Sequence, residues 1–370
     1  MLIDKIREKE FPATKNLVYL NTAATGLVPR SAINALKGAL ELVETARYWE
    51  SYYEKIKEVK KKVASLIGAR EEEIAIVENT SLGINLIANS LNYKSKNNIV
   101  LNDLEFPANF YPWLGKAKLR IIKSKNGKIL ISDYEKAIDD NTVSVPLSHV
   151  AYSNGFKQDL KALSEVVHNH NSLILVDAIQ SLGALEVNVK KLDIDFLVAG
   201  CQKWLLSPPG TGFVWVKEEL LDDLKPKLVG WLSVEKPEEY KLEAQISKTA
   251  SKLELGTPNI LGYFGVNESL KLLHKLEMKN IERRIIGLTD HLIHLIQQKN
   301  LKIFTPLERE HRSGIVNFKV KKADQIVKAL RKSLIVVSCR NNGIRVSPHF
   351  YNTEEELEKF MNETQLLLSS

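Results

Sequence analysis

Short apolar runs alternate with longer amphipathic stretches through the first two thirds of the chain. The apolar runs are typical of buried strands, and the stretches between them repeat apolar residues at helical spacing. The predicted strands cover 72–77, 97–102, 119–124, 142–150, 172–178 and 194–200. Helices are predicted between several of them, including 81–91 and 159–171. Continuous apolar strands separated by helices predict an α/β fold with a mostly parallel central sheet covered by helices.

The pattern changes after about residue 255, where long amphipathic helices replace the alternation. Helices are predicted over 262–300 and 353–368, and short strands between them at 313–320, 334–340 and 343–349. This order is typical of a smaller α+β domain. We therefore expect an N-terminal arm of residues 1–15 that packs with the small domain, a large domain of residues 16–255 and a small C-terminal domain of residues 256–370.

Composition and charge narrow the classes of protein. The 370 residues are 44% hydrophobic and 26% charged, as in an ordinary globular protein. The formal charge of +7 is spread among acids, which argues against nucleic-acid binding. No apolar run is close to the length of a membrane span, about 18 residues. The N-terminal segment is charged, unlike a signal peptide, so we expect a cytoplasmic protein. Cys201 and Cys339 are too few for a disulfide framework or a metal site.

Two predicted strands end in residues that can carry chemistry. Strand 172–178 delivers Asp177 and is followed by Gln180, and strand 194–200 is followed by Gln202 and Lys203. If the two strands are neighbours, the acid and the lysine face one crevice at the carboxyl edge of the sheet. A lysine among apolar residues is partly desolvated, which lowers its pKa and makes it a better nucleophile. The pair therefore suggests a Schiff-base cofactor site.

Pyridoxal phosphate (PLP) requires a lysine for its Schiff base, an acid beside its pyridine nitrogen and a cradle for its phosphate. The third requirement is met where strand 72–77 leads into Asn79, Thr80 and Ser81 at the start of a helix. Backbone N–H groups and hydroxyls at a helix N-terminus suit an anion. Three separate segments thus indicate one cofactor.

Eight ordered stretches then resemble the class V aminotransferases, a branch of the fold type I PLP-dependent enzymes that includes cysteine desulfurases, kynureninase and isopenicillin N epimerase-like proteins. The stretches are VYLNTAATGLVP (18–29), NTSLGINLIA (79–88), DLEFPANFYPWL (103–114), SHVAYSNGFKQDL (148–160), VDAIQSLGALEVNV (176–189), GCQKWLLSPPGTG (200–212), LELGTPN (253–259) and GIRVSPHFYNTEEEL (343–357). The resemblance covers nearly the whole chain and implies a PLP-dependent transferase fold.

The resemblance also implies a role for individual residues. Lys203 and Asp177 would be catalytic, Lys203 forming the Schiff base and Asp177 pairing with the pyridine nitrogen. The other cofactor contacts implied are Gln180 and either Tyr152 or Asn154 at the ring hydroxyl, Phe106 stacked on the ring, and Thr80, Ser81 and Gln202 at the phosphate. Thr257 would reach the phosphate of a neighbouring subunit, which implies a homodimer with shared sites. Arg345 would bind the substrate α-carboxylate, with Ala24 beside the substrate.

Each assignment has a structural alternative that the sequence leaves open. Asp177, Thr80 and Ser81 could simply cap helices, Phe106 could be ordinary core, and Arg345 could belong to a structural salt bridge. We expect Arg340 and His349 to be structural.

Departures from the relatives bear on the reaction. Desulfurases usually place a histidine where this chain has Phe106, and a nucleophilic cysteine on a mobile loop. Cys339 instead lies in a predicted strand, where a buried thiol stays protonated, and Cys201 is expected to point away from the ring. Gln202 and Gly200 replace a histidine and a serine that relatives use near the phosphate.

The sequence therefore predicts an enzyme that acts at the Cα of a small amino acid, most simply an aminotransferase. The alternatives are an epimerase, a cysteine desulfurase or C–S lyase, and a PLP-fold binding protein without turnover.

Overall fold

The computed structural model describes residues 2–369 and has an α/β architecture with two main sheets. The strands are β1 Val18–Tyr19, β2 Ile74–Val77, β3 Asn98–Asn102, β4 Lys118–Ile122, β5 Thr142–Ser148, β6 Leu173–Asp177, β7 Phe196–Gly200, β8 Gly212–Val216, β9 Lys302–Ile303, β10 Val316–Lys319, β11 Ile335–Val336, β12 Ser338–Arg340 and β13 Gly343–Val346. The helices are α1 Leu2–Glu10, α2 Arg30–Glu44, α3 Tyr48–Ile67, α4 Thr80–Ser90, α5 Ile131–Ala137, α6 Leu160–His168, α7 Val189–Leu192, α8 Ile260–Leu276, α9 Met278–Gln298, α10 Ala323–Lys332 and α11 Glu354–Ser369.

The larger sheet has seven strands in the order β2-β8-β7-β6-β5-β3-β4. All neighbours pair parallel except β8, which runs antiparallel to both β2 and β7. Successive residues of a strand point to opposite faces of the sheet. Leu175 packs in the core on the side of α4, and Val176 packs in the core on the side of α3, α6 and α8. Because both faces are covered, the central strands β6 and β7 are almost entirely apolar, as the sequence predicts, whereas the edge strand β4 carries an exposed Lys118.

The second sheet is smaller and antiparallel, with the order β12-β13-β10-β9. Buried residues of α9, α10 and α11 form a separate core with it. The N-terminal segment reaches this part of the chain, because Arg7 Nη2 donates to Glu356 Oε1 at 2.5 Å. Met1 and Ser370, which end the predicted arm and the predicted C-terminal domain, lie outside the described residues.

The predicted mostly parallel α/β fold is confirmed, and every predicted strand has a counterpart in the structure. Three strands were not predicted: the two-residue strands β1 and β9, and β8, which follows the turn-rich segment SPPGTG. Helix α8 packs on α2 and α3, so its apolar residues join the core of the larger sheet. The domain limits at residues 15 and 255 stay predictions, which limited proteolysis would test.

Candidate active site

The strands that carry the predicted lysine and acid are neighbours, as the crevice between them requires. β6 pairs with β7, with Asp177 opposite Val198, and Lys203 follows the end of β7. Both side chains line a cavity of about 280 Å³ at the carboxyl edge of the sheet. The predicted site residues that line the same cavity are Ala24, Thr80, Ser81, Phe106, Tyr152, Gln180, Gln202 and Arg345.

Burial shifts the pKa values of Asp177 and Lys203. Removal from water raises the pKa of Asp177, although the Ile179 N–H donates to its carboxylate at 2.9 Å and the charge of Lys203 opposes the rise. Removal from water also lowers the pKa of Lys203 below the value of an exposed amine, against the attraction of Asp177. A lysine in this state is neutral more often at physiological pH and can act as a nucleophile or a base.

The backbone around Lys203 is held from three directions. Gly26 N donates to Gln202 O at 2.8 Å, and the Trp204 indole Nε1 donates to Gln180 Oε1 at 3.0 Å. On the third side, His349 Nε2 lies 3.0 Å from Trp204 O. The turn of residues 202–206, the lysine turn, is therefore held in place by residues far apart in sequence.

His349 has the structural role that the sequence suggested. Its Nδ1 accepts from the Phe350 N–H at 2.8 Å, so Nε2 carries the hydrogen that binds Trp204 O. Full burial lowers the pKa of His349 to about 4, which keeps the ring neutral. The histidine supports the lysine turn and does not line the cavity.

The amide of Gln180 is oriented by the protein. Its oxygen accepts from the Trp204 indole, and its Nε2 donates to Ala23 O at 3.0 Å. Since Nε2 has two hydrogens, one donor remains for a ligand in the cavity.

The start of α4 forms an anion cradle. Asn79 is the cap, because its side chain accepts from the Leu82 N–H at 2.9 Å, so Thr80 and Ser81 are first-turn residues and not caps. Thr80 Oγ1 accepts from the Gly200 N–H at 2.9 Å and is left with a hydrogen to donate. Free N–H groups and hydroxyls at this helix end fit a phosphate.

Gln202 completes the cradle. Its Oε1 is buried without a hydrogen-bond partner, although its side chain lines the cavity. A Cβ at Gly200 would lie 2.5 Å from this oxygen and 3.2 Å from Thr80 Oγ1. The space beside Gly200 is thus taken by Gln202 and Thr80, which leaves no room for a side chain at position 200.

Arg345 is fully buried and only partly satisfied. Its Nε donates to Ser338 Oγ at 3.1 Å and its Nη1 to Tyr152 O at 2.7 Å, whereas its Nη2 has no partner. No ion pair to Arg345 occurs within residues 2–369, so it does not belong to a structural salt bridge there. An unpaired guanidinium nitrogen in a cavity fits a carboxylate ligand.

Phe106 belongs to the cavity wall and not to the core, since 45% of its surface is exposed. Its ring meets Tyr152 edge to face, with centroids 5.2 Å apart, and lies 5.9 Å from Lys203 Nζ. An aromatic face at this position can stack on a planar cofactor.

Glu105, next to Phe106, is a site residue that the sequence pattern did not single out. Its buried carboxylate accepts hydrogen bonds from the side chains of Asn102 at 2.7 Å, Asn109 at 2.8 Å and Ser148 at 2.6 Å, as well as from the Ser148 N–H. These bonds tie the Phe106 segment to the end of β5. The available signal was a lone acid between a buried strand and an aromatic residue.

Two predicted residues lie elsewhere. Asn154 is buried in a turn, where its Nδ2 donates to Gly127 O at 2.7 Å and its Oδ1 accepts from the Phe156 N–H at 3.1 Å. Of the two alternatives for the ring hydroxyl, the structure therefore brings only Tyr152 to the cavity. Thr257 is exposed and does not line the cavity.

Neither cysteine lines the cavity in the described part of the chain. Ser338 is opposite Arg345 in the β12–β13 pair, so Cys339 projects from the opposite face, where it packs on the small-sheet core. Cys339 is half-buried, less than the sequence suggested. Cys201 is fully buried, and burial raises its pKa to about 12, so this thiol stays protonated.

Arg340, expected to be structural, lines the cavity instead. Its Nη1 donates to Cys339 O at 2.7 Å, a bond that leaves the rest of the guanidinium available. The signal for this role was its position two residues from Ser338, which places both residues on one face of the strand.

A lysine beside a carboxylate, an aromatic wall, a phosphate cradle and a free arginine together define a PLP-dependent enzyme. The sequence profile described as "Aminotransferase class-V" matches residues 18–360, and the chain belongs to that family.

Three relatives illustrate the range of the family. The chain is 32% identical over 356 residues to the protein named "Uncharacterized aminotransferase YcbU" from Bacillus subtilis (strain 168), with 95% of each covered. It is 28% identical to a "Probable cysteine desulfurase" of Methanothermobacter thermautotrophicus, covering 95% of this chain and 94% of the relative. Among solved structures, the apo cysteine desulfurase from Thermococcus onnurineus NA1 superposes with a TM-score of 0.89 at 27% identity, covering 99% and 98% of the two chains.

Proposed function

We propose that this enzyme is an aminotransferase that acts at the Cα of a small amino acid. The observation that carries the proposal is the composition of the cavity wall: a lysine, an acid and a free arginine line it, and neither cysteine of the chain does. A desulfurase requires an activated thiol as sulfur acceptor, and Cys201 and Cys339 point elsewhere. The higher identity to a relative named as an aminotransferase supports the same choice.

The residues present fit PLP. Lys203 would hold it covalently, Asp177 would lie at its pyridine nitrogen, and Thr80, Ser81 and Gln202 would hold its phosphate. The Gln202 amide nitrogen and the free first-turn N–H and hydroxyl groups of α4 are the donors that a phosphate needs, which supports this assignment. When bound, the cofactor supplies an electron sink that stabilises negative charge at Cα.

The side chains of this protein would then orient the substrate and move its proton. Arg345 Nη2 binds the α-carboxylate and fixes which Cα bond is broken. Lys203 Nζ accepts the Cα proton, a role that its lowered pKa favours. Phe106 and Tyr152, whose ring centroids lie 5.2 Å apart, form part of the cavity wall and would cover one side of the substrate. The carbon that receives the proton, on the cofactor or at Cα, separates transamination from epimerisation.

A single-turnover experiment tests the proposal. The holoenzyme is mixed with a panel of amino acids without a keto acid, and its absorbance is followed. We expect the yellow cofactor band to be lost as pyridoxamine phosphate forms, with release of one matching keto acid. In the Lys203→Ala variant we expect no turnover. Release of sulfide or alanine from cysteine, or inversion of a stereocentre with the yellow band retained, would overturn aminotransfer in favour of desulfuration or epimerisation.

The proposed assembly is a homodimer with shared sites. Thr257 is exposed and lies outside the cavity of its own protomer, which suits a residue that reaches a partner's phosphate. An exposed aromatic groove supports association, because contiguous apolar surface commonly marks an interface. It is lined by Trp49, Tyr53, Trp231 and Tyr240.

We also propose that the protein resides in the cytoplasm and binds neither nucleic acid nor membrane. Both cysteines are free thiols, which fits a reducing compartment. Within residues 2–369, no helix is long and apolar enough to cross a bilayer.

A further inference from the structure

Arg340 and Arg345 occupy neighbouring strands and the same face of the small sheet. In the antiparallel pair of β12 and β13, Ser338 is opposite Arg345 and Arg340 is opposite Gly343. Residues directly opposite each other on paired strands point to the same face of the sheet, and so do residues i and i+2 of one strand. The backbones of the two arginines are therefore offset along the sheet by two residues, about 7 Å. Both side chains reach the cavity of Lys203.

The cavity carries more positive charge than its own acid can balance. Three cationic side chains line it, namely Lys203, Arg340 and Arg345, and Asp177 is the one acid in its described lining. No ion pair to either arginine occurs in the described part of the chain, and Arg340 donates only to the carbonyl of its neighbour, Cys339. Two guanidinium groups that lack anionic partners in one small cavity indicate a ligand that brings its own negative charge.

The two arginines differ in which guanidinium nitrogens remain free to donate hydrogen bonds. Arg345 is fixed by Ser338 and Tyr152, and its remaining Nη2 can bind one carboxylate. Arg340 is half-buried and is held through Nη1 alone, so its Nε and Nη2 remain for a second anion. If Arg345 binds the α-carboxylate, then a group at the far end of the substrate is the natural partner of Arg340.

We propose that Arg340 selects an amino acid with an anionic side chain, a carboxylate or a sulfinate, as the amino donor. This inference rests on the proposed function, because it takes Arg345 as the α-carboxylate site. The cavity of about 280 Å³ favours a short side chain over a long one. A bidentate guanidinium also discriminates against neutral side chains, because it stays desolvated and unpaired when they bind.

Donor selectivity of the holoenzyme tests this inference. Single-turnover kcat/KM values are measured for L-aspartate, L-glutamate and L-cysteine sulfinate, with L-alanine as the neutral reference. We expect wild type to prefer at least one acidic donor over L-alanine by about 100-fold, and the preferred donor distinguishes carboxylate from sulfinate. In Arg340→Gln, the ratio of acidic to neutral kcat/KM should fall toward one, and Arg340→Lys should recover part of it.

Arg345→Gln is the matched comparison, since it removes the other guanidinium of the same sheet face. We expect it to lower kcat/KM for all donors together and to leave their ratio near that of wild type. A wild type without preference for acidic donors would overturn the inference. So would an Arg340→Gln variant that loses all donors equally, or one that loses PLP, because Arg340 would then serve the α-carboxylate or the cofactor.

A binding measurement separates failure of this inference from failure of the proposed function. Succinate has two carboxylates and no amine, so it occupies the site without turnover. Its Kd is read from the cofactor absorbance of wild type and of Arg340→Gln, with butyrate as the monocarboxylate control. Tighter binding of succinate that depends on Arg340 supports the charge selection even if no donor is transaminated. Equal Kd values for succinate and butyrate, alongside normal transamination, would contradict the inference alone.

Discussion

At the scale of single residues, burial shifts the pKa values of the ionisable side chains at this site. Burial raises the pKa of Asp177 and Glu105 and lowers that of Lys203, so two acids and a base are brought closer in proton affinity than they would be in solution. Glu105 does not line the cavity, yet its charge raises the pKa of Asp177 further. A residue that does not line the cavity thus affects the pKa of one that does.

The Glu105→Gln substitution tests that dependence. All the groups that contact the carboxylate are donors, so an amide would place an NH₂ group against at least one of them. We expect a loss of about 1–3 kcal/mol in unfolding free energy, as for an unsatisfied buried donor, and weaker PLP retention because Phe106 is displaced. The measurements are chemical denaturation and a fluorescence titration with PLP.

Glu72→Gln is the control for this variant, since Glu72 is exposed. It should change neither quantity. A Glu105→Gln protein that is less stable but retains PLP as tightly as wild type would show that Glu105 supports the fold without positioning Phe106.

Sequence alone predicted the residues that follow strand ends or open a helix, including Lys203, Asp177 and Thr80, because those places are fixed by local pattern. It could not decide between Tyr152 and Asn154, which depends on how a turn folds back on Gly127. It undervalued Arg340, because the position of that side chain is set by pairing between β12 and β13. Local sequence pattern cannot predict the position of a side chain that depends on how distant segments of the chain pair.

Among the elements, the turn from Gln202 to Leu206 is held by close packing and carries backbone strain. Leu206 has a left-handed backbone with φ of 53° and is fully buried, so its side chain packs in the core despite a conformation that favours glycine. Gly26 packs directly against this turn: a Cβ there would lie 2.1 Å from Lys203 O. The strand β8 that follows the turn was missed in the sequence because proline and glycine dominate the segment before it.

Gly26→Ala should therefore displace the lysine turn. We expect destabilisation of about 1–3 kcal/mol from overpacking and a lower fraction of enzyme carrying covalently bound PLP, measured by thermal unfolding and by absorbance after borohydride reduction. Gly38→Ala is the matched control, because a Cβ added at this position of α2 would meet no atom within 4 Å. That variant should be about 1 kcal/mol more stable. Normal PLP occupancy in Gly26→Ala would contradict the role of the turn.

At the scale of the whole molecule, the cavity joins parts of the chain that are distant in sequence. Lys203 and Asp177 come from the larger sheet, and Arg340 and Arg345 from the smaller one. The bond from Arg345 to Tyr152 O and that from His349 to Trp204 O tie the two regions together at the site. Any relative movement of the two sheets would change the geometry of the cavity.

The proposed dimer makes PLP retention depend on protein concentration. We expect a dimer by analytical ultracentrifugation and a fall in bound PLP when the protein is diluted below the dimer Kd. Thr257→Ala should weaken PLP retention without changing the sedimentation of the dimer. A monomer that keeps its cofactor at every dilution would contradict shared sites.

The alternation of side chains along β12 also has an evolutionary consequence. Arg340 and Cys339 are adjacent in sequence but project from opposite faces of one strand. Slipping that strand by a single residue against β13 would exchange the faces, turning the arginine toward the small-sheet core and the thiol toward the lysine. One insertion or deletion, rather than a series of point substitutions, would then be enough to replace an anion-binding group by a sulfur nucleophile, so ancestry in this region is better traced by gaps than by residue identity.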